Sequence, residues 1–230
     1  MTSRRLLCYP DLHNSLLALA RYFSANRRAV PRDFDLARGD AYLVAAHAAI
    51  ENYVETLCRR VLHASLLKLK VTGARNKLLR EIERSFIAKQ IAQLPRGESP
   101  FYGGMRALAL STKWYVGRID DNNGVKSNNL LALWLPLGYR ETDFDPLWLN
   151  SMDSFGRGRG DMAHGRPMSP AGRPPIAIGG TGGVTIGVWT PEAIRPRLAQ
   201  PVWEVQATVD SLRPELLAWD RKLTAAIDLS

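Results

Sequence analysis

The segment Arg157-Gly-Arg159-Gly-Asp161-Met162-Ala163-His164-Gly165 sets two guanidiniums ahead of one of the chain's four histidines, with four or six residues between. An imidazole that titrates near neutrality can move protons between a ribose hydroxyl and a leaving oxygen. A guanidinium offers a planar fork of donors that fits a phosphate. Together they suit metal-free cleavage of an RNA phosphodiester. The spacing alone has little weight: with 24 arginines and four histidines in 230 residues, about one such match arises by chance. The competing reading is a helix end in which the arginine pairs with Asp161 or Asp153 and the histidine caps a carbonyl.

Residues five apart on an ideal helix point about 140° away from each other, so Arg159 and His164 cannot both face one phosphate from an undistorted helix. Gly156, Gly158 and Gly160, each costing roughly 1 kcal/mol relative to alanine in a helix, could bend it. Alternatively, two copies could pair the residues across chains. The helix that leads into the segment opens at Asp145-Pro146, a capping carboxylate followed by proline at the first helical position, and is predicted to run to about Phe155.

Upstream, Pro10-Asp11 opens a predicted helix to Phe23, with Leu12, Leu16 and Leu19 on one face. A polar connector reaches Gly39. From Asp40, read as an N-cap, to about Leu69 the chain has neither Gly nor Pro. Leu43, His47, Ile50, Val54, Leu57 and Val61 recur there at alternating steps of four and three, the mark of a long helix with a narrow packing seam. His47 in that seam reads as an interior histidine rather than a metal ligand; Glu51, one turn on, could reach a cleft. His13 and His63 read as surface residues. Further helices are predicted over 78–94, stopped by Pro95, over 105–119, and over 130–137, capped by Ser127 or Asn128 and closed by Gly138.

Ile176-Ala-Ile178 and Val184-Thr-Ile186-Gly-Val188 flank a glycine-rich turn, so a β-hairpin is expected near 176–188. A phosphate-cradling loop is the alternative there, but it lacks the Lys-Ser/Thr that would complete it. A short helix from Thr190-Pro191 to Leu198 follows, then a last one from Trp203 to about Ile227, with Trp203, Val209, Leu212, Leu216 and Leu223 as candidate core residues. The expected fold is a single all-α domain over 1–230: an N-terminal helix and connector over 1–39, then an up-and-down bundle with the hairpin inserted.

The net charge is +9, and between Arg59 and Arg96 ten basic residues face only Glu81 and Glu83. Such a strip suits phosphate backbones and equally a solvated helix face. Cys8 and Cys58 lie far apart without metal-ligand spacing, so neither a disulfide framework nor zinc is suggested, and no cofactor is expected. No uninterrupted apolar run of about 18 residues occurs and the N-terminus lacks a leader pattern, so a cytoplasmic protein with no membrane partner is expected. A helical DNA-binding regulator is suggested by charge alone, for nothing reads as a recognition helix after a short turn.

Three stretches resemble the HEPN ribonucleases, and within them the RiboL-PSP-HEPN group: Ala45-Ala-His-Ala-Ala-Ile50-Glu51-Asn-Tyr-Val54-Glu55, then Asn129-Leu-Leu through Leu137-Gly-Tyr139, then Trp148-Leu through Arg159-Gly-Asp-Met-Ala-His164-Gly165. The resemblance covers about 40–227. It implies a helical bundle that dimerises, bringing two Arg/His motifs into one basic cleft that cuts single-stranded or loop RNA without metal. It also implies a toxin–antitoxin, phage-defence or RNA-processing setting, with a cognate antitoxin or defence partner. Arg159 and His164 match the family's arginine and histidine, with Arg157, Asp161 and Glu51 as possible support. The family usually has a polar residue directly after the arginine, whereas this chain has Gly160 with Asp161 one place later. Either Asp161 takes over, or the chain is a less active or inactive module that binds RNA, nucleotide or a partner protein.

Overall fold

A computed structural model describes residues 8–24, 33–94, 104–163 and 200–229. These form α1 (Tyr9–Phe23), α2 (Asp33–Thr72), α3 (Lys77–Gln93), α4 (Gly104–Asp120), α5 (Ser127–Trp134), α6 (Pro146–Ala163) and α7 (Val202–Leu229), with two 3₁₀ turns, Leu135–Leu137 and Glu141–Asp143, between α5 and α6. Among the described residues the protein is all-α. The hairpin expected over 176–188 and the helix expected over 190–198 lie outside them, as does His164.

The organising element is α2, 40 residues and so about 60 Å long. It is contacted by every other helix, most extensively by α7 and α1. The predicted seam is the buried face: Leu43, His47, Ile50, Val54, Leu57 and Val61 are all buried. Around it Leu12, Leu16, Leu79, Ile82, Tyr115, Leu130, Leu212, Leu216 and Leu223 close one continuous core. Trp134, Phe144 and Trp219 stack at centroid distances of 4.2–5.2 Å, with Tyr139 edge-on to Trp219 at 4.9 Å. This places the turn after α5 against α7. Of the core residues predicted on α7, Trp203 is only partly buried, whereas Trp219 is fully enclosed.

The helix stops follow turn chemistry. Gly73 ends α2 in the left-handed region at φ 70°, with the Ala74 N–H donating to Thr72 Oγ1 at 3.2 Å. The Asn76 side chain caps α3 by accepting from the Leu79 N–H at 3.0 Å. The Asp145 carboxylate accepts from the Leu147 N–H at 2.9 Å at the start of α6.

Three predicted boundaries differ, each because a contact distant in sequence overrides a local signal. First, α2 begins at Asp33 rather than Asp40 and runs straight through Gly39. That glycine marks a close approach: a Cβ there would run into the backbone carbonyl of Gln200. Second, neither Ser127 nor Asn128 caps α5. Ser127 is its first residue, and its N–H and Oγ both donate to the Asp153 carboxylate of α6, at 2.7 and 3.0 Å. Third, α6 continues through Gly156, Gly158 and Gly160 to Ala163. A Cβ on Gly156 would lie 2.7 Å from Lys126 Cγ, and one on Gly158 3.0 Å from Leu43 Cδ2. The missing side chains let α6 press against α2 and the α4–α5 turn, and this contact offsets the poor helix propensity.

Candidate functional site

Arg159 sits in the last turns of α6, where the helix crosses α2 and the turn between α4 and α5. That turn, Asp120–Gly124, ends at Gly124 with φ 116°. It presents Asn123, whose side-chain oxygen accepts a long 3.4 Å hydrogen bond from Arg159 Nη1. The turn is itself braced: Asn129 Nδ2 donates to the Asn123 carbonyl at 2.7 Å, and Asn122 Nδ2 donates to Glu55 Oε1 at 3.0 Å. The anticipated pairing of the arginine with Asp153 does not occur, because Asp153 is engaged by Ser127.

Beneath Arg159 lies His47. Its ring is 1% exposed, stacks on Phe155 of α6 at 5.7 Å and 22°, and lies under Gly124. Its Nδ1 is 3.5 Å from Glu51 Oε2 but makes no hydrogen bond. Burial, then the charges of Arg159 and Lys126, push its pKa down to about 4, so the imidazole is neutral at physiological pH. Glu51 is partly exposed and borders the surface.

His47, Glu51, Glu55 and Arg59 form an i, i+4 ladder along one face of α2, continued by a 2.8 Å ion pair from Arg59 to Asp120 at the end of α4. From sequence, His47 and Glu51 of this ladder are singled out but not Glu55 and Arg59. The ladder's four-residue spacing was the available signal.

The other singled-out residues divide clearly. Arg157 is exposed and, among the described residues, reaches Ser154 Oγ at 3.5 Å. Asp161 belongs to α6, but its side chain, like His164, lies outside the described residues. A Cβ on Gly160 would meet open space. His13 is not a free surface group: its ring nitrogen contacts the Arg213 guanidinium. His63 is exposed along an open surface groove on α2.

Four of the ten basic residues of the strip are ion-paired among the described residues. Arg75 grips Glu83 with two hydrogen bonds at 2.8 and 3.0 Å, while Arg59, Arg60 and Arg84 pair with Asp120, Asp11 and Glu81. Among the described residues no three His, Cys, Asp or Glu side chains converge as metal ligands would, and no helix is long and apolar enough to cross a membrane. Cys8 and Cys58 are free and buried, and burial raises their pKa values to about 11 and about 12, so both stay protonated.

The depressed His47 pKa gives the site an acid signature. An unfolded chain takes up this proton near pH 6.5 and the folded one only near pH 4, so stability is fully present above about 6.5 and lost as pH falls toward 4. The loss expected from His47 is about 3 kcal/mol. Urea unfolding of wild type and His47→Gln at pH 7, 5.5 and 4 checks it. The wild-type free energy should fall more steeply than that of the variant, and parallel curves would mean that His47 is not held neutral. The facing groups are Glu51 on its own helix, Arg159 on α6 and Lys126 in the turn, so the comparison with the variant isolates the imidazole.

No protein-family model, curated protein or solved structure matches the chain.

Proposed function

We propose that the chain is a metal-independent endoribonuclease of the HEPN kind, an up-and-down bundle that acts as a dimer on single-stranded or loop RNA. In this reading His164 withdraws the ribose 2′-hydroxyl proton as the 2′-oxygen attacks phosphorus. The bond from phosphorus to the 5′-oxygen breaks, that oxygen takes a proton, and a 2′,3′-cyclic phosphate remains. Arg159 holds the non-bridging phosphate oxygens, whose charge grows in the transition state.

The observation that carries the reading is the seating of Arg159. It has no carboxylate partner among the described residues. Among the described residues it is tethered by a neutral amide and lies near a neutral imidazole, five residues before His164, a setting that suits an anionic ligand. α6 is helical through Gly156, Gly158 and Gly160 to Ala163, and residues five apart on a regular helix diverge. The reading therefore needs either a second copy or a turn of the chain after Ala163. A toxin–antitoxin or defence role, with an inhibitor or defence partner, belongs to the same proposal.

In this reading Arg159 is the working arginine and Arg157 at most a supporting one. Arg159→Ala should lower cleavage of a labelled single-stranded RNA at least 100-fold in the presence of EDTA, and Arg157→Ala less than threefold. Equal losses, or inhibition of the wild type by EDTA, would contradict the proposal. The second reading, a non-catalytic module that binds RNA, nucleotide or a protein, is favoured by one feature: at Gly160 the chain offers no side chain where the family has a polar one. Binding by wild type without cleavage, persisting in Arg159→Ala and His164→Ala, would establish it.

A further inference from the structure

A cleft of about 240 Å³ lies between Ser85 and Lys89 of α3, Trp114 and Arg118 of α4, and Leu131 and Leu135 beside the end of α5. It is apart from the Arg159 site but tied to it. Arg118 precedes the Asp120–Gly124 turn, and α5 runs from the Lys126 end near α6 to this cleft. Leu131 lies about 6 Å along that helix from Ser127.

The chemistry of the cleft is unlike that of the ion-paired part of the basic strip. No carboxylate lines it. Lys89 Nζ stands 6.0 Å and the Arg118 guanidinium carbon 5.1 Å from the Trp114 ring centroid. Arg118 is fixed by Nε, which donates to the Ala132 carbonyl at 3.1 Å. Neither cation has an ion-pair partner among the described residues, in contrast to Arg59, Arg75 and Arg84. Leu135, beside the ring, is 41% exposed. Two cations without an ion-pair partner among the described residues, beside an aromatic–aliphatic wall, are what an anionic ligand with a flat ring would fill.

We propose that this cleft seats one nucleotide of a single-stranded RNA, its phosphate between Lys89 and Arg118 and its base against Trp114 and Leu135. The proposal rests on the RNA-cleaving reading above and adds a second point of attachment, which holds the strand away from the scissile bond. An acidic peptide would satisfy the cations but leave the flat wall unused. Cation-plus-aromatic anchoring is how single strands are held without reading their sequence.

Fluorescence anisotropy of a labelled 12-residue oligouridine, with full-length protein carrying His164→Ala to prevent cutting, tests the cleft. Lys89→Glu should raise Kd roughly tenfold and flatten its salt dependence by about one phosphate contact. Trp114→Leu should raise Kd at least fivefold. Arg84→Glu, an equal charge change on the same helix, should change it less than threefold. Lys89 is exposed, so Lys89→Glu stays informative even if Trp114→Leu fails to fold. Equal weakening by Lys89→Glu and Arg84→Glu would overturn the proposal by reducing it to diffuse charge, and so would an oligoaspartate peptide that displaces the RNA and binds more tightly. RNA cut normally by the wild type but bound alike by all variants removes the cleft and leaves the ribonuclease reading standing. No RNA binding by any form removes both.

Discussion

His164→Ala is expected to lower RNA cleavage by 10² to 10⁴-fold, about the worth of a general acid–base group, while far-UV circular dichroism and melting temperature stay as in wild type. Folding should be spared because, among the described residues, one continuous core is built by α1–α5, the body of α6 and α7. Kinetics would separate the roles further. Losing the imidazole should reduce kcat with KM little changed, whereas losing Arg159, which also meets the phosphate in the ground state, should affect both. A His164→Ala protein that cuts as fast as wild type would assign the chemistry elsewhere.

The largest effect on stability is expected from Asp220→Ala. This carboxylate is fully buried on α7 and accepts hydrogen bonds from the Cys8 and Tyr9 N–H groups at 2.8 and 2.6 Å, with a further contact from Thr224 Oγ1 at 3.3 Å. It caps the first turn of α1 from the far end of the chain, where the donors of a helix start have no partner of their own. Removing it leaves two buried donors unpaired, at about 3 kcal/mol in total. For a chain of this size that lowers the melting temperature by about 6–12 °C. Asp220→Asn keeps one acceptor oxygen and should lose less than half as much. A melting curve for Asp220→Ala that overlays the wild type would show that α1 is held by packing alone.

These two residues also mark the limits of reading the chain without its structure. Helices α1, α3 and α4 begin and end within a residue or so of prediction, because their apolar periods and their Gly, Pro and Asn stops act locally. The same logic failed at Gly39 and at Gly156 and Gly158, where glycine is required by a neighbouring backbone or side chain rather than by a turn. The identity of that neighbour, Gln200, Lys126 or Leu43, is set by the fold. Asp220 carries no local sign of its task, since its partners lie more than 200 residues earlier.

At the candidate site the segment Arg157–His164 could be singled out from residue types alone, but the choice between its arginines could not. Asn123, 36 positions before Arg159, provides the tether. Glu51 was legible as a group near the surface of the seam. Its neighbours Glu55 and Arg59 were legible as an i, i+4 ladder once the polar face of α2 is read with the same care as the apolar one.

The most direct measurement is the end chemistry of fragments produced from a mixed RNA pool in EDTA by wild type and by His164→Ala. The account predicts 2′,3′-cyclic phosphate ends opposite 5′-hydroxyls with wild type, and essentially no fragments with the variant. An RNA pool left intact by the wild type, or the same fragments from both proteins, would contradict it.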